Sequence, residues 1–350
     1  RAIRGAPALR ALPACARNFV QDGGACMGDA GGVLRSCVLA LMIHQAASRP
    51  WLGMALCALA MATVGSTVVA SRLIASGLPP FTATALRFAV ATPVLWLLMH
   101  ATRAVWPRPD RRDGALLLMQ AACGSVGYTV LLILGTRYAP AADAGVVAGT
   151  LPAVAALFAV LALGERPSRA LWLSIGLATA GVAAISLPEA LGPARAAGPQ
   201  VLLGHALVLG AVGCEATFIL VNKRLRVPVA PLALSTVMSA LGLLTCLPPA
   251  LLEQAWLRPA VPAALWAAVY YALVPGVLGF WLWFAGAERL AGAQASLMTA
   301  VMPVSALALS AAVLGERVSA WQMGGCALVL LAVLAASVPG LGGRKRPTPL

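Results

Sequence analysis

Residues Gly135–Ser168 read GTRYAPAADAGVVAGTLPAVAALFAVLALGERPS, and residues Gly286–Ser319 read GAERLAGAQASLMTAVMPVSALALSAAVLGERVS. The two segments align without a gap at an offset of 151 residues, and ten of their 34 positions are identical. Each copy is a long apolar run with a proline near its middle, Pro152 or Pro303, and a Gly-Glu-Arg triplet near its end. A duplicated apolar unit of this kind predicts a membrane protein built from two related halves.

The composition of the 350-residue chain excludes a soluble globular domain. It is 61% hydrophobic and 10% charged, with a mean hydropathy of +0.88, whereas about a quarter of the residues of a soluble domain are charged. The lipid bilayer must therefore be one of its solvents. The net charge of +14 does not indicate a nucleic-acid partner, because the chain has no basic stripe with interleaved aromatic residues.

Eight cysteines occur along the chain, but none forms a CxxC pair and none lies near a histidine at the spacing of metal ligands. We interpret them as small buried apolar residues and predict no metal site and no cofactor.

Apolar runs of about 20 residues are long enough to cross the bilayer as helices. Ten such runs predict an all-α integral membrane protein with ten transmembrane helices. They are Trp51–Ala70, Phe81–Ala101, Gly114–Leu134, Ala139–Leu163, Ala170–Leu187, Val201–Val221, Pro231–Leu252, Leu265–Ala285, Leu290–Leu314 and Trp321–Val338.

The domain organisation follows from these runs. Residues 51–188 form the first repeat, 189–199 the linker, 200–340 the second repeat and 341–350 a basic cytoplasmic tail. Because each repeat holds five helices, the second enters the membrane from the opposite side, so we predict inverted repeats. Residues 1–50 are expected to be a disordered extension, or sequence upstream of a start near Met27 or Met42.

The distribution of basic residues predicts the orientation. With a cytoplasmic N-terminus, the segments on the cytoplasmic side from residue 103 onward carry 13 Lys and Arg residues, and those on the opposite side carry five. Positive charge favours the cytoplasmic side of short loops. We therefore expect a multi-pass protein of the cytoplasmic (inner) membrane with both termini in the cytoplasm.

The order of several short motifs resembles the drug/metabolite transporter superfamily, of the EamA type. Each repeat has a proline eleven residues before a Leu-Gly-Glu motif, at Leu163-Gly164-Glu165 and Leu314-Gly315-Glu316. A Pro-Pro-Phe-x-x-x-x-x-Arg pattern runs from Pro79 to Arg87, and Gly213-Cys214-Glu215-Ala216 leads into Asn222-Lys223-Arg224-Leu225. The resemblance covers residues 51–340. It implies a secondary transporter that exports small metabolites, such as amino acids or drug-like solutes, by alternating access.

Ionisable residues inside a bilayer are costly and therefore candidates for function. We expect Glu215 to face the central cavity, where it would bind a cationic group or carry a coupling proton; the alternative is an internal ion pair that fixes helix packing. Arg87 is a second candidate, although its guanidinium could instead tie the second helix to neighbouring carbonyls. His205 is expected near the membrane interface, and Asp143 at the positive end of a helix dipole.

Further side chains are candidates for the lining of a substrate site, by their polarity or aromatic character: Gln120, Tyr128, Thr150, Thr299 and Trp281. Pro152 and Pro303 interrupt the helix hydrogen bonds near the bilayer centre, so we predict that they meet there as hinges. Glu165 and Glu316 lie beside arginines at helix ends and are expected to anchor loops.

No sequence motif of an enzyme or of a nucleotide-binding site occurs in a fitting context. The expected partners are a small-molecule substrate and the lipid bilayer, with possible proton coupling, in a monomer or homodimer. Two alternatives stay open: a flippase for a lipid-linked substrate, and a membrane scaffold or sensor that transports nothing.

Overall fold

The computed structural model describes residues 50–104, 106–107, 109–163, 169–191, 198–226, 229–257, 259, 261–290 and 292–337. Over these residues the regular structure is helical, without a strand. The predicted extension, the basic tail, most of the linker and Glu165 lie outside the described residues.

The described helices coincide with the ten apolar runs to within a few residues at most ends, and we number them by run. They are α1 (Pro50–Ala75), α2 (Pro80–Ala101), α3 (Arg111–Tyr138), α4 (Ala141–Ala148 and Leu151–Leu163), α5 (Arg169–Leu191), α6 (Gly198–Asn222), α7 (Pro231–Leu252), α8 (Pro262–Ala287), α9 (Gly292–Met298 and Val301–Leu314) and α10 (Ala320–Ser337).

Within the described part of the chain, six helices are long and apolar enough to cross a membrane: α1, α2, α3, α6, α7 and α8. The two halves of α4 make a seventh span if they are taken together, with a bend of 42° between them. Long apolar helices of this kind belong to a membrane protein. The full count of ten spans and the inverted relation of the repeats stay predictions.

Local sequence explains where several helices begin. Pro80, Pro231 and Pro262 each occupy the first position of a helix, where the missing N–H has no intrahelical partner to lose. Asp110 caps α3 by accepting a hydrogen bond from the amide of Asp113 at 2.7 Å. This cap is the type that satisfies the free amides of a first helical turn.

The two halves of the chain interrupt their helices at corresponding places. A π-helical segment spans Ala121–Gly127 in α3 and Val274–Gly279 in α8, and the two overlap when shifted by 151 residues. The break between the halves of α4, at residues 149–150, likewise overlaps the break of α9, at residues 299–300.

Glycine contacts between helices repeat at the same offset. A Cβ atom on Gly204 of α6 would lie 2.9 Å from the carbonyl oxygen of Gly135 of α3, and one on Gly286 of α8 would lie 2.8 Å from that of Gly53 of α1. Gly53 and Gly204 are 151 residues apart, as are Gly135 and Gly286. Only glycine permits this approach of two backbones, and such small-residue contacts join helices in membranes.

One end of the bundle is held together by polar side chains that reach across to other helices. Glu253 accepts hydrogen bonds from the amides of Phe81 and Thr82 at 3.0 and 2.6 Å, and Glu316 accepts them from the first two amides of α4 at 3.0 and 2.9 Å. Arg72 donates to two carbonyls at the end of α3. We call this the closed end.

Candidate functional site

A cavity of about 370 Å³ lies among α1, α2, α3, α6, α7 and α8, with α4 and α9 at its base. Its lining reaches Asn222, the last residue of α6, and Leu234 in the first turn of α7. The cavity therefore extends toward the end opposite the closed end. Besides Arg87 and Glu215, its polar lining includes Thr67, Ser125, Tyr128, Ser235, Ser239 and Tyr271.

Glu215 lines this cavity from the second half of α6 and is half-buried. Its carboxylate forms no hydrogen bond with any residue that the structure describes. It lies within electrostatic range of Arg87, but the short ion pairs of the described residues join His205 to Asp143 and Arg226 to Asp110. Glu215 is thus a carboxylate that a bound cation can approach.

Arg87 faces the same cavity from α2. Its guanidinium carbon lies 4.2 Å from the centre of the Tyr271 ring and 5.0 Å from that of Phe88, distances at which an aromatic face attracts a cation. It also donates a hydrogen bond to the hydroxyl of Thr129, which in turn donates to the carbonyl of Ser125 at 2.8 Å. These contacts hold the guanidinium in place. Its other N–H groups form no hydrogen bond with a described residue, so they can receive an anion.

The π-helical segments form two walls of the cavity. Gly124 and Ser125 line it from α3, and Pro275 and Gly276 line it from α8. Irregular backbone in a membrane protein is tolerated where it borders a water-filled space, and π-helical turns frequently mark functional sites. The sequences of the two segments match poorly, so the shared backbone irregularity was not apparent from the repeat alignment.

Of the seven residues predicted for the site, the structure brings Arg87, Tyr128 and Glu215 together at the cavity. Gln120 is fully buried beside it, where its side-chain amide donates to the carbonyl of Phe218 on α6 at 3.2 Å. It supports the helix that carries Glu215 without lining the cavity itself.

The other predicted residues lie away from the cavity lining. Thr150 is buried at the break in α4 and donates to the carbonyl of Val147 at 2.7 Å. Thr299 occupies the corresponding break in α9. Trp281 is 62% exposed on the outer surface of α8, because its position on the helix turns it away from the face that carries Tyr271. Trp281 therefore belongs to the exposed outer surface of α8 and not to the cavity wall.

The two prolines lie just after the helix breaks but outside the cavity lining. Pro303 is buried and packs close to Gly149, whose added Cβ would lie 2.9 Å from the proline ring. The residues of these helices that reach the cavity are instead Ala148, Leu151 and Met302. The hinge role of Pro152 and Pro303 stays a prediction, while the expected polar lining at these breaks is replaced by apolar side chains.

Among the polar residues of the closed end, His205 differs from its expected environment and Asp143 does not. His205 is buried rather than solvated, with its Nε2 atom 2.9 Å from Oδ2 of Asp143. Asp143 lies in the first turn of α4, at the positive end of the helix dipole as expected. Glu316 accepts from the first two amides of that helix, and Gln322 donates to Oδ1 of Asp143 at 2.7 Å. The missing information was the pairing of helices, which brings together residues far apart in sequence.

The chain is similar in sequence to known membrane transporters. A model of the EamA-like transporter family matches residues 51–187 and again residues 202–338. A transporter of unassigned substrate from Bacillus subtilis, YetK, is 35% identical over 74% of this chain and 78% of its own length. A protein of Streptantibioticus cattleyicolor, named a probable terminal-alkyne amino-acid exporter, is 30% identical over 68% of this chain and 78% of its own length.

A solved structure, titled "Crystal structure of protein", has a TM-score of 0.53 and 23% sequence identity over 81% of this chain and 96% of that chain. It supports the fold alone. The matched family and the named relatives are transporters and not enzymes, as the sequence predicted.

Proposed function

The chain belongs to the EamA-like transporter family, and we propose that it is a secondary transporter that exports small zwitterionic metabolites, of the amino-acid class, across the cytoplasmic membrane. The observation that carries the proposal is the presence of one guanidinium and one carboxylate on the walls of a single cavity, without a direct ion pair between them.

An α-amino acid presents one carboxylate and one ammonium group on a short scaffold. Arg87 would receive the carboxylate, since a guanidinium pairs with carboxylates through two parallel hydrogen bonds. Glu215 would receive the ammonium group. The cavity of about 370 Å³ lies toward the lower part of the range of small-ligand sites, which favours a compact solute over a lipid-linked one.

The roles of the two charges depend on each other. A cation or an anion alone would leave one wall charge uncompensated in a largely apolar cavity, and an uncompensated charge in such surroundings is costly. A zwitterion neutralises both. Of the two roles expected for Glu215, binding of an ammonium group is therefore favoured over carrying a coupling proton. The name of the amino-acid exporter among the relatives agrees with this class of substrate.

We further propose ten transmembrane helices in two inverted five-helix repeats that rock about the cavity in alternating access. The paired glycine contacts, breaks and π-helical segments at the 151-residue offset support the repeat. Hydrogen bonds at the closed end support the inversion, because α1 ends there and α6 begins there. The positive-inside rule would make the closed end external and turn the cavity toward the cytoplasm.

The test is a transport assay with purified protein in liposomes, using three ligands of matched size: an α-amino acid, the corresponding primary amine and the corresponding carboxylic acid. We expect saturable exchange of the amino acid alone. Glu215→Gln, which removes the cavity carboxylate, should abolish the preference for the amino acid. Its matched control is Glu288→Gln, because Glu288 is exposed and lies outside the cavity. Equal transport of the amine and the amino acid would overturn the proposal.

A further inference from the structure

The base of the cavity is a continuous apolar surface. Ala148 and Leu151 of α4, Val212 of α6 and Met302 of α9 line the cavity together with Val64 of α1, and all five pack into one hydrophobic cluster. Ala148, Val212 and Met302 are only 2%, 1% and 7% exposed. We call these five residues the base wall. It offers a ligand apolar contact and no hydrogen-bonding side chain.

The helices that carry the base wall lie in close contact with one another. A Cβ atom on Gly65 of α1 would lie 2.6 Å from the carbonyl oxygen of Met302, and one on Gly149 of α4 would lie 2.9 Å from the ring of Pro303. Helices packed this closely leave no layer of water between them. The base wall is therefore a preformed apolar surface.

The opposite end of the cavity, its mouth, is lined in part by neutral polar side chains. Asn222 ends α6 there, and Ser235 and Ser239 lie one turn apart in the first half of α7. Glu215 lies between the two ends, because Val212 of the base wall is one turn before it on α6 and Asn222 is two turns after it. A group that extends from Glu215 toward the mouth meets polar side chains, and one that extends toward the base wall meets apolar ones.

The charges of the cavity limit what the substrate can carry. Among the described residues that line it, Arg87 and Glu215 are the charged ones. The proposed function engages both with the backbone of an amino acid, Arg87 with the carboxylate and Glu215 with the ammonium group. A charge on the side chain of the amino acid would therefore enter the cavity without a partner. An unpaired charge in apolar surroundings is costly, whereas each methylene removed from water is stabilising.

We propose that the base wall is the subsite for the side chain of the substrate, and that the transported amino acids are those with aliphatic side chains. This inference rests on the proposed function, because Arg87 and Glu215 must first hold the two charged groups. The α-carbon of an amino acid carries the ammonium group, the carboxylate and the side chain in fixed directions. Once the two charged groups are engaged, the side chain extends to the base wall, where an aliphatic chain is removed from water.

The test is a ligand series measured by isothermal titration calorimetry on the purified full-length protein. Alanine, 2-aminobutyrate, norvaline and norleucine share one backbone and lengthen the side chain by one methylene at a time. We expect each methylene to raise the affinity about two- to fourfold, so that norleucine binds about 10- to 60-fold more tightly than alanine. Lysine and glutamate, whose side chains carry a charge, should bind at least about 100-fold more weakly than norleucine.

Two matched leucine variants locate the subsite. Leu151 of the base wall and Leu234 near the mouth are both half-buried, and both line the cavity. Leu151→Ala should lower the ratio of the norleucine affinity to the alanine affinity about 3- to 10-fold, because it removes apolar surface that only the longer chain reaches. Leu234→Ala should change both affinities by the same factor and leave the ratio as it is.

A norleucine affinity no higher than that of alanine in the wild-type protein would overturn the proposal, even if Leu151→Ala fails to fold. So would lysine or glutamate that binds as tightly as norleucine, or a ratio that Leu234→Ala lowers and Leu151→Ala leaves unchanged. In each of these cases amino acids still bind, so the proposed function stands while the side-chain subsite is wrong. If the wild-type protein binds none of these amino acids, the proposed function itself fails, and this inference fails with it.

Discussion

Removal of the Glu253 side chain tests how the two repeats are joined at the closed end. The carboxylate of Glu253, which follows α7, accepts three hydrogen bonds from the start of α2: the amides of Phe81 and Thr82 and the hydroxyl of Thr82, the last at 2.7 Å. Glu253→Ala leaves two amides and a hydroxyl without their acceptor. We expect the substitution to destabilise the protein by loosening α2 from α7.

The magnitude follows from the bonds lost. A hydrogen bond to a charged group contributes about 1.5–3 kcal/mol, but these three share one carboxylate that is only half-buried, so a total of about 3 kcal/mol is expected rather than the full sum. At about 2–4 °C per kcal/mol, the melting temperature should fall by about 6–12 °C.

The assay is thermal unfolding of the purified protein in detergent, followed by intrinsic fluorescence. Glu288→Ala is the control, because Glu288 is exposed at the opposite end of the bundle. Glu253→Gln keeps one acceptor oxygen and should give an intermediate loss. If Glu253→Ala melts at the same temperature as Glu288→Ala, the carboxylate does not hold the two helices together and the reasoning fails.

Three further predictions concern packing, pH and the cavity. Gly204→Ala should lower the melting temperature, since its Cβ would crowd a neighbouring backbone. Gly176→Ala should not, because a Cβ added there would have no atom of another helix within 4 Å. The hydrogen bond from the amide of Asp113 lowers the pKa of the Asp110 carboxyl. The charged carboxylate therefore stabilises the fold above the usual carboxyl pKa range, and this stabilisation is lost as the pH falls. Asp110→Asn should make the melting temperature depend less on pH on the acid side. Tyr271→Leu should weaken substrate affinity several-fold by removing a cation–π contact of about 0.5–2 kcal/mol, while Tyr271→Phe should not.

Most of the fold that could be predicted from the sequence followed from the internal repeat. The 151-residue offset led to the pairing of Pro152 with Pro303, and helix breaks lie beside both prolines. Proline removes a backbone donor whatever surrounds it, so its effect can be read locally. The π-helical segments could not be predicted in this way, because Gly124 and Pro275 are different residues that reach a similar backbone through different packing.

Charged residues of the site could be predicted from the sequence, whereas the aromatic residues that face the cavity could not. Glu215 and Arg87 were identified because a charge within an apolar run requires a compensating environment. Trp281 and Tyr271 lie on the same aromatic helix, and only the packing of α8 decides which one reaches the cavity. His205 and Asp143 lie 62 residues apart, and their contact depends on the tertiary pairing of α4 with α6.

The central claim is that one zwitterion bridges Arg87 and Glu215. The most direct test measures the affinities of the amino acid, the amine and the carboxylic acid for the wild-type protein, Glu215→Gln and Arg87→Gln. For the wild-type protein, removing either the ammonium or the carboxylate from an amino acid should weaken binding about 10- to 100-fold, the equivalent of one charged hydrogen-bond contact. In Glu215→Gln, removing the ammonium group from the ligand should cause little further loss of affinity. In Arg87→Gln, removing the carboxylate from the ligand should likewise cause little further loss. Equal penalties for each ligand in the wild-type protein and both variants would contradict the account.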